Sequence, residues 1–459
     1  MVEASEKQTA RPELVRARRR RGMSQEAAAE ALGVSLTTWA RWERGEQGVR
    51  ARHRARLAAV FGATHADVER WVDGWTLPET PSWPLADCGD GSVTATVKSA
   101  DLLWRFEMDQ SRRHMLATLP FVPAALAEWL TSWTYDNPAA SAAHTGTGRA
   151  VGMTDVQRID EARQMFSQMD HQFGAGLVRP VVLRYLHTNV TPLLHGRYDD
   201  EVGAALMSAA AGMSRMAGWT AFDMNLHGPA QQHFGQALRF AKAANDPLTA
   251  VWILTAMTRQ AIHIDQPLWS LRLARSARET ARQAQASPRV MSLLISREAW
   301  TTALHAKPGE SGDKHAARQV QRLLGEAERA YGQGLSDSDP AWVITYEAAE
   351  LHAEAGRSWG LIGEHQRAAA CAEAAAETFQ GRLPRSAQFN RMHAADAYLN
   401  LGELDQALAT ARPAVRQAKT LSSKRSVEFV KSFTTRLDPH STTIAVREFR
   451  DHVKQELAA

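Results

Sequence analysis

The chain has 459 residues, of which 44% are hydrophobic and 23% charged, an ordinary globular composition with room for about two to four folding units. Only two cysteines occur, Cys88 and Cys371, which excludes a disulfide scaffold, a zinc ribbon and an iron–sulfur cluster. The net charge of +4 is unevenly spread: residues 11–56 hold twelve arginines against five glutamates, a net +7, so the other 413 residues sum to −3. A basic segment on a nearly neutral body predicts a polyanion partner for one end only. The opening MVEASEKQTARPELVR has no apolar stretch, and no run of about 20 apolar residues follows, so a soluble cytoplasmic protein is expected.

Helix formers dominate throughout, and strand-like alternation bounded by turns is missing, which predicts an all-α protein. The first predicted elements lie in LVRARRRRGMSQEAAAEALGVSLTTWARWERG, Leu14 to Gly45. Ser24 precedes QEAAAEAL as an N-cap, Gly33 supplies a left-handed turn, and Ser35 caps the next helix. Ala28, Ala29, Leu32, Val34, Trp39 and Trp42 have the spacing to face inward. This segment resembles the Cro/C1-type (XRE) helix-turn-helix over roughly residues 11–72. The resemblance implies a five-helix DNA-binding domain over 1–73, in which Arg18 and Glu43 form a structural pair and Gln25 holds a phosphate and orients a recognition side chain. Trp39 is larger than the family's usual Ile or Val, so the recognition helix is expected to sit slightly differently.

A recognition helix needs short or hydrogen-bonding side chains at its exposed start to enter the major groove. Here Ser35, Leu36, Thr37, Thr38 and Arg41 stand there, with Arg41 the best candidate for a guanine edge. Arg19, Arg20 and Arg21, with Arg44, Arg50, Arg52 and Arg54, are expected to contact phosphates, which position the domain without reading sequence.

Beyond it, Pro78, Pro81, Pro84, Gly89 and Gly91 interrupt the helical pattern and predict a linker over 74–98, leaving 99–459 as a second domain. Stretches 136–152 and 306–315 read as loops. From about residue 154 the chain repeats itself. Ala394, Ala395, Tyr398, Gly402, Leu404, Ala407, Ala411 and Ala414 fall at the small, aromatic and glycine positions of a tetratricopeptide repeat. A second copy through Ala355, Gly356, Trp359, Gly363, Ala368, Ala372 and Ala375 is offset by 39 residues. Looser copies, through Ala217, Gly218, Ala221, Ala230, Phe234 and Ala237 and through Met257, Ala261, Ser270, Ala274 and Ala277, are offset by 40. Small residues let two helices cross closely, and such hairpins stack into a superhelix with a concave face.

Counted from the repeat register, the concave face holds Arg215, Trp219, Phe222, Asp223, Trp252, Thr255, Arg259, His263, Arg357, Asp396 and Asn400. Of these, Arg215, Trp219, Asp223, Trp252, Arg259, His263, Arg357, Asp396 and Asn400 are the candidate ligand-binding residues, since cations and amides beside aromatic faces suit a peptide or small signalling molecule. Six tryptophans, Trp219, Trp252, Trp269, Trp300, Trp342 and Trp359, fall in the repeats and read either as packing or as groove. His227 and His233 lack metal-ligand spacing and read as surface or cap residues, and the glycines of 146–152 follow no strand, so no metal, cofactor or dinucleotide site is expected. Nucleophile-elbow, P-loop and paired-carboxylate motifs are missing, so an enzyme is not expected. A helix-turn-helix followed by tetratricopeptide repeats resembles the Gram-positive peptide-sensing regulators and the multi-repeat regulators common in Streptomyces. That resemblance implies a homodimeric transcription regulator on double-stranded DNA with a palindromic operator. A repeat scaffold or adaptor with secondary DNA tethering is the alternative.

Overall fold

The computed structural model describes residues 11–47, 49, 51–61, 63, 68, 71–72, 92–137, 141–145, 148–305 and 313–457. The chain divides into two units, Met1–Asp87 and Cys88–Ala459. The described residues are helical, with only two isolated β-bridges, His144 to Tyr198 and Ala150 to Arg197.

In the first unit four helices are described: α1 (Pro12–Arg20), α2 (Gln25–Leu32), α3 (Leu36–Glu43) and α4 (Ala51–Phe61). The expected fifth helix would fall on 64–72, where only residues 68 and 71–72 are described, all three of them helical. Leu14, Ala28, Ala29, Leu32, Trp39, Trp42, Leu57 and Phe61 form the core, and Val34 packs half-buried against it. Most of the expected linker, residues 73–91, lies outside the described residues, but its end is corrected. Helix α5 begins at Val93 behind Ser92, whose Oγ accepts from the Ala95 N–H at 3.1 Å, so 93–98 is helix and not linker.

The second unit starts with α5 (Val93–Met108), α6 (Gln110–Ala117) and α7 (Pro123–Tyr135). Next come α8 (Met153–Phe173) and α9 (Ala175–Tyr185), the latter continuing through a π-turn at Leu186–Val190. Five helical hairpins and a terminal helix pair follow. They pair α10 (Asp200–Asp223) with α11 (His227–Ala243), α12 (Pro247–His263) with α13 (Pro267–Gln283), and α14 (Pro288–His305) with α15 (Asp313–Tyr331). Then α16 (Ala348–Leu361) pairs with α17 (His365–Phe379), α18 (Pro384–Asn400) with α19 (Leu404–Thr420), and α20 (Lys424–Arg436) with α21 (Ile444–Leu457). The loop expected over 306–315 ends earlier, since 313–315 open α15.

The period of 40 has a mechanical cause. Helices α11, α12 and α13 each have 17 residues, and three-residue turns join them. Each turn carries one residue in the left-handed region at a spacing of 20: Asn225 (φ 57°), Asn245 (φ 51°), Asp265 (φ 53°) and Gln285 (φ 52°). The next N–H reaches back to a buried alanine carbonyl: Leu226 to Ala221 at 2.9 Å, Asp246 to Ala241 at 2.9 Å, Gln266 to Ala261 at 2.8 Å and Ala286 to Ala281 at 2.9 Å. These six-to-one bonds satisfy orphan carbonyls at each helix end. Glycine takes this left-handed position at Gly363 and Gly402, whereas here Asn, Asp and Gln stand in its place. At the α10–α11 crossing the small-residue reading holds, for a Cβ on Gly218 would lie 2.6 Å from the Phe234 ring.

The terminal helix pair returns to the start of the repeats. The Ser422 N–H donates to the Phe173 carbonyl at 2.9 Å, and the Gly176 N–H donates to the Ser422 carbonyl at 2.9 Å. Below that junction Arg385 of α18 forks onto Asp170 of α8, 215 residues earlier, at 3.0 and 2.5 Å. The superhelix is therefore fastened across its two ends.

Candidate functional site

In the first unit the sequence dictates a braced helix pair. Ser24 Oγ accepts from the Ala27 N–H at 3.1 Å, Gly33 takes the left-handed conformation (φ 63°), and Ser35 Oγ accepts from the Thr38 N–H at 3.1 Å. Glu43, at the last turn of α3, is the hub of the brace. It accepts from Arg18 Nε at 2.7 Å, from Trp39 Nε1 at 3.0 Å and from Gln25 Nε2 at 2.5 Å. A buried carboxylate needs such partners, and three fix the angle between α1, α2 and α3. Trp39 fits because its ring stacks on Phe61 with centroids 6.0 Å apart while its N–H is spent on Glu43. Arg11 closes the far end of α3, donating to the carbonyls of Trp42 (2.9 Å) and Gln47 (2.7 Å).

The brace leaves one face of α3 open. Leu36, Thr37 and Arg41 are exposed and Thr38 is half-buried, while the Ser35 and Thr38 hydroxyls share a hydrogen bond of 2.8 Å. Arg19 is exposed on α1. Gln25 is half-buried, and its amide nitrogen donates to Glu43, so it takes part in the brace. Arg44 pairs with Glu46 at 2.6 Å, and Arg54 Nε donates to the Val49 carbonyl at 3.0 Å, so both guanidiniums have protein partners as well as an outward surface. The side chains of Arg20, Arg50 and Arg52 lie outside the described residues.

In the second unit, the first helix of each hairpin supplies the concave wall. Residues at helical spacings of three and four place one stripe per helix there: Arg215, Trp219 and Phe222 on α10, and Trp252, Thr255, Arg259 and His263 on α12. Arg297 and Trp300 of α14 continue the wall, then Glu350, Glu354 and Arg357 of α16, Arg385, Phe389 and His393 of α18, and Arg425, Glu428 and Phe429 of α20. These residues line two adjoining cavities of about 360 and 190 Å³, which share Arg259, Phe389 and Arg425.

Its arginines fall into two groups. Arg385 is held by Asp170 and by Asp223 (3.1 Å), Arg425 by Asp223 (3.2 Å), and Arg297 by Glu354. The others touch no carboxylate among the described residues. Arg215 lies 3.8 Å over the Trp252 ring and donates to the Trp252 carbonyl at 3.2 Å. Arg357 Nε donates to His393 Nε2 at 3.2 Å, and Arg259 sits against Trp219 and Trp300. Burial, then Arg297 and Arg357, pull Arg259 well below the ordinary guanidinium range, and burial, then Arg163 and Arg297, draw Arg215 down to about 9. A guanidinium does not surrender its proton in a protein, so this pull registers as an unmet demand for counter-charge. Burial followed by the Arg357 and Arg259 charges pushes His393 down as well, in keeping with an imidazole nitrogen that accepts from Arg357.

Six of the nine candidate ligand residues, Arg215, Trp219, Trp252, Arg259, His263 and Arg357, line these cavities. Asp223 does not; it is fully buried beneath the wall as the counter-ion of Arg385 and Arg425. Asp396 and Asn400 share the stripe of Phe389 and His393 but lie past the cavity's end, bonded to Arg436 at 2.6 and 2.9 Å. The sequence reading missed Arg297, Arg385, Phe389, His393 and Arg425, although Arg385 and Arg425 stand 40 residues apart, which the repeat period could have flagged. Of the six tryptophans, Trp219, Trp252, Trp300 and Trp342 face the cavities, while Trp269 and Trp359 pack against Arg272 and Arg367 instead. His233 is corrected too: it is fully buried, with Nε2 3.1 Å from Glu107. No group of three or more metal-ligating side chains occurs among the described residues.

Residues 13–71 match the family model of the helix-turn-helix domain, so the N-terminal unit carries that domain. No curated protein matches the chain. Among solved structures, the crystal structure of Rap protein complexed with competence and sporulation factor is similar at 12% identity and a TM-score of 0.41, over 73% of this chain and 88% of that one.

Proposed function

We propose that this protein is a sequence-specific DNA-binding transcription regulator of the cytoplasm, whose helical-repeat unit senses a ligand and joins two copies. The observation that carries the reading is the open face of α3, held by the buried Arg18–Glu43 pair and presenting Leu36, Thr37 and Arg41 to a major groove. The concave wall of arginine and tryptophan supports a sensing role for the second unit. Its mechanism is a population shift: a ligand that contacts the two states of the protein differently changes its fit to DNA. No described helix is long and apolar enough to cross a membrane.

Selection of bound sequences from random duplex DNA, followed by footprinting, tests DNA recognition. Arg41→Ala should cost about 1–3 kcal/mol on the selected site and relax preference at one base pair, as expected for a lost bidentate guanine contact. Arg19→Ala should weaken selected and random DNA alike and flatten the salt dependence by roughly one unit. Equal losses on both DNAs for Arg41→Ala would remove α3 from base reading.

A single helix-turn-helix reads few base pairs, so a two-fold protein spanning half-sites about 34 Å apart gains the specificity a regulator needs. Light scattering on the full chain at micromolar concentration should therefore return twice the monomer mass. A monomer would overturn the two-fold reading and leave DNA binding in place.

A further inference from the structure

The 360 Å³ cavity keeps two guanidiniums that pair directly with no acid among the described residues. Arg357 is 8% exposed, its Nε is spent on His393, and its Nη1 is buried without a hydrogen-bond partner among the described residues. Arg259 forms no ion pair or hydrogen bond with the described residues. Both lie against the same indole, 4.9 and 5.9 Å from the Trp300 ring centroid, so their charges converge on one spot of the wall. An unpaired cation held in such a place is costly, and an anion seated between the two would remove the cost.

The charge balance limits what that anion is. Across both cavities and the layer beneath, Arg215, Arg259, Arg297, Arg357, Arg385 and Arg425 stand against Asp170, Asp223, Glu350 and Glu354, with Glu428 at the rim. One or two positive charges are left over. A polyphosphate would exceed that surplus and set further negative charge against Glu428. Apart from His263, His393 and Ser432, the remaining wall is apolar: Phe222, Ile262, Trp300, Phe389 and Phe429. A cavity of about 360 Å³ falls at the small end of the range typical of small-molecule sites.

We propose that this cavity binds a small carboxylic acid with an apolar or aromatic body, its carboxylate held by Arg259 and Arg357 and its body packed among Phe222, Trp300, Phe389 and Phe429. The inference deepens the sensor reading and rests on it only for the consequence at DNA. The acid is either a free metabolite-like molecule or the C-terminus of a very short peptide; both offer the same head.

The test uses the full-length protein, with calorimetry and the fluorescence of its tryptophans as readouts. Probes are 2-naphthylacetate, 4-phenylbutyrate and decanoate, each beside its neutral primary amide, and the dipeptide Leu-Phe with a free or amidated C-terminus. At least one acid is expected to bind about ten-fold or more tightly than its amide, a ratio set by charge-assisted contacts. Arg259→Gln and Arg357→Gln should each erase that ratio while leaving the unliganded melting temperature unchanged or higher, because an unpaired buried charge has been removed. The free acids and the dipeptide decide between the two sources. Equal binding of acids and amides, binding of none, or a lower melting temperature in both variants would overturn the proposal. If an acid binds but operator affinity does not change, the ligand class stands and the sensor reading falls; if cell extract changes operator affinity and no acid binds, the reverse holds.

Discussion

Replacing Arg385 by Met is expected to lower the stability of the repeat unit by about 3–5 kcal/mol, the cost of breaking a buried ion pair by deleting one partner. Arg385 is 5% exposed, Asp170 1% and Asp223 0%, so none of the three charges can turn to water when the cluster is broken. Asp223 would keep Arg425 at 3.2 Å, whereas Asp170 would retain only the N–H of Trp219 at 3.2 Å. With Arg385 present, burial raises the Asp170 pKa but the Arg385 charge outweighs it and the carboxyl sits below the usual range. Without it, burial is opposed only by the weaker pulls of His171 and the Trp219 N–H. Urea unfolding should show a lower midpoint at an unchanged slope, and Asp170→Asn in the same background should recover part of the loss, since it removes the stranded charge. A change under about 1 kcal/mol would mean that the fastening of α8 to α18 carries little of the fold.

That cluster also marks the boundary of what the sequence could tell. The helix-turn-helix was legible because Ser24, Gly33 and Ser35 are local signals at fixed spacing, and Ser24, Gly33 and Ser35 do cap and turn as their chemistry requires. The 40-residue hairpins were legible because their crossings demand small residues at regular intervals, and Ala221, Ala241, Ala261 and Ala281 are all fully buried. The turn residues were overlooked, since Asn225, Asn245, Asp265 and Gln285 are individually unremarkable and only their common spacing of 20 gives them meaning. On the wall, Trp252, Thr255, Arg259 and His263 of α12 were legible because helical spacing alone defines their stripe, while Ala256 and Ile262 beside them were not. How far along α18 the cavity runs depends on where α20 crosses it, which is a matter of tertiary packing. Asp396 and Asn400 were therefore placed on the right face and beyond the right end. Asp223 was misread for a related reason: its counter-ions stand 162 and 202 positions later, and no local pattern announces them.

Acid should unfold this protein earlier than carboxylate titration alone would dictate. Burial, as the leading cause, lowers the pKa values of His171, His233 and His393, so the fold holds all three neutral where an unfolded chain would protonate them near pH 6.5. The sign follows from proton counting: below that pH the unfolded state binds more protons, and stability falls as pH falls. Each histidine contributes up to about 1.4 kcal/mol per pH unit until its own folded-state value is reached, so three contribute roughly 4 kcal/mol per pH unit at most. A second loss starts lower. Burial would raise Glu107, but Arg179 at 2.6 Å and His233 outweigh it and hold the carboxyl down at about 2, so this stability is complete above the unfolded value near 4.5 and is lost as pH falls from there toward 2. Urea midpoints measured from pH 7.5 to 5.0 should thus decline steeply below about 6.5, and His233→Gln should make the decline shallower by about one proton. A flat profile down to pH 5 would show that these rings take up their protons in the folded protein over the same pH range as in the unfolded chain. His393 could then no longer accept the Arg357 N–H at Nε2, and the wall would hold one more unmet positive charge.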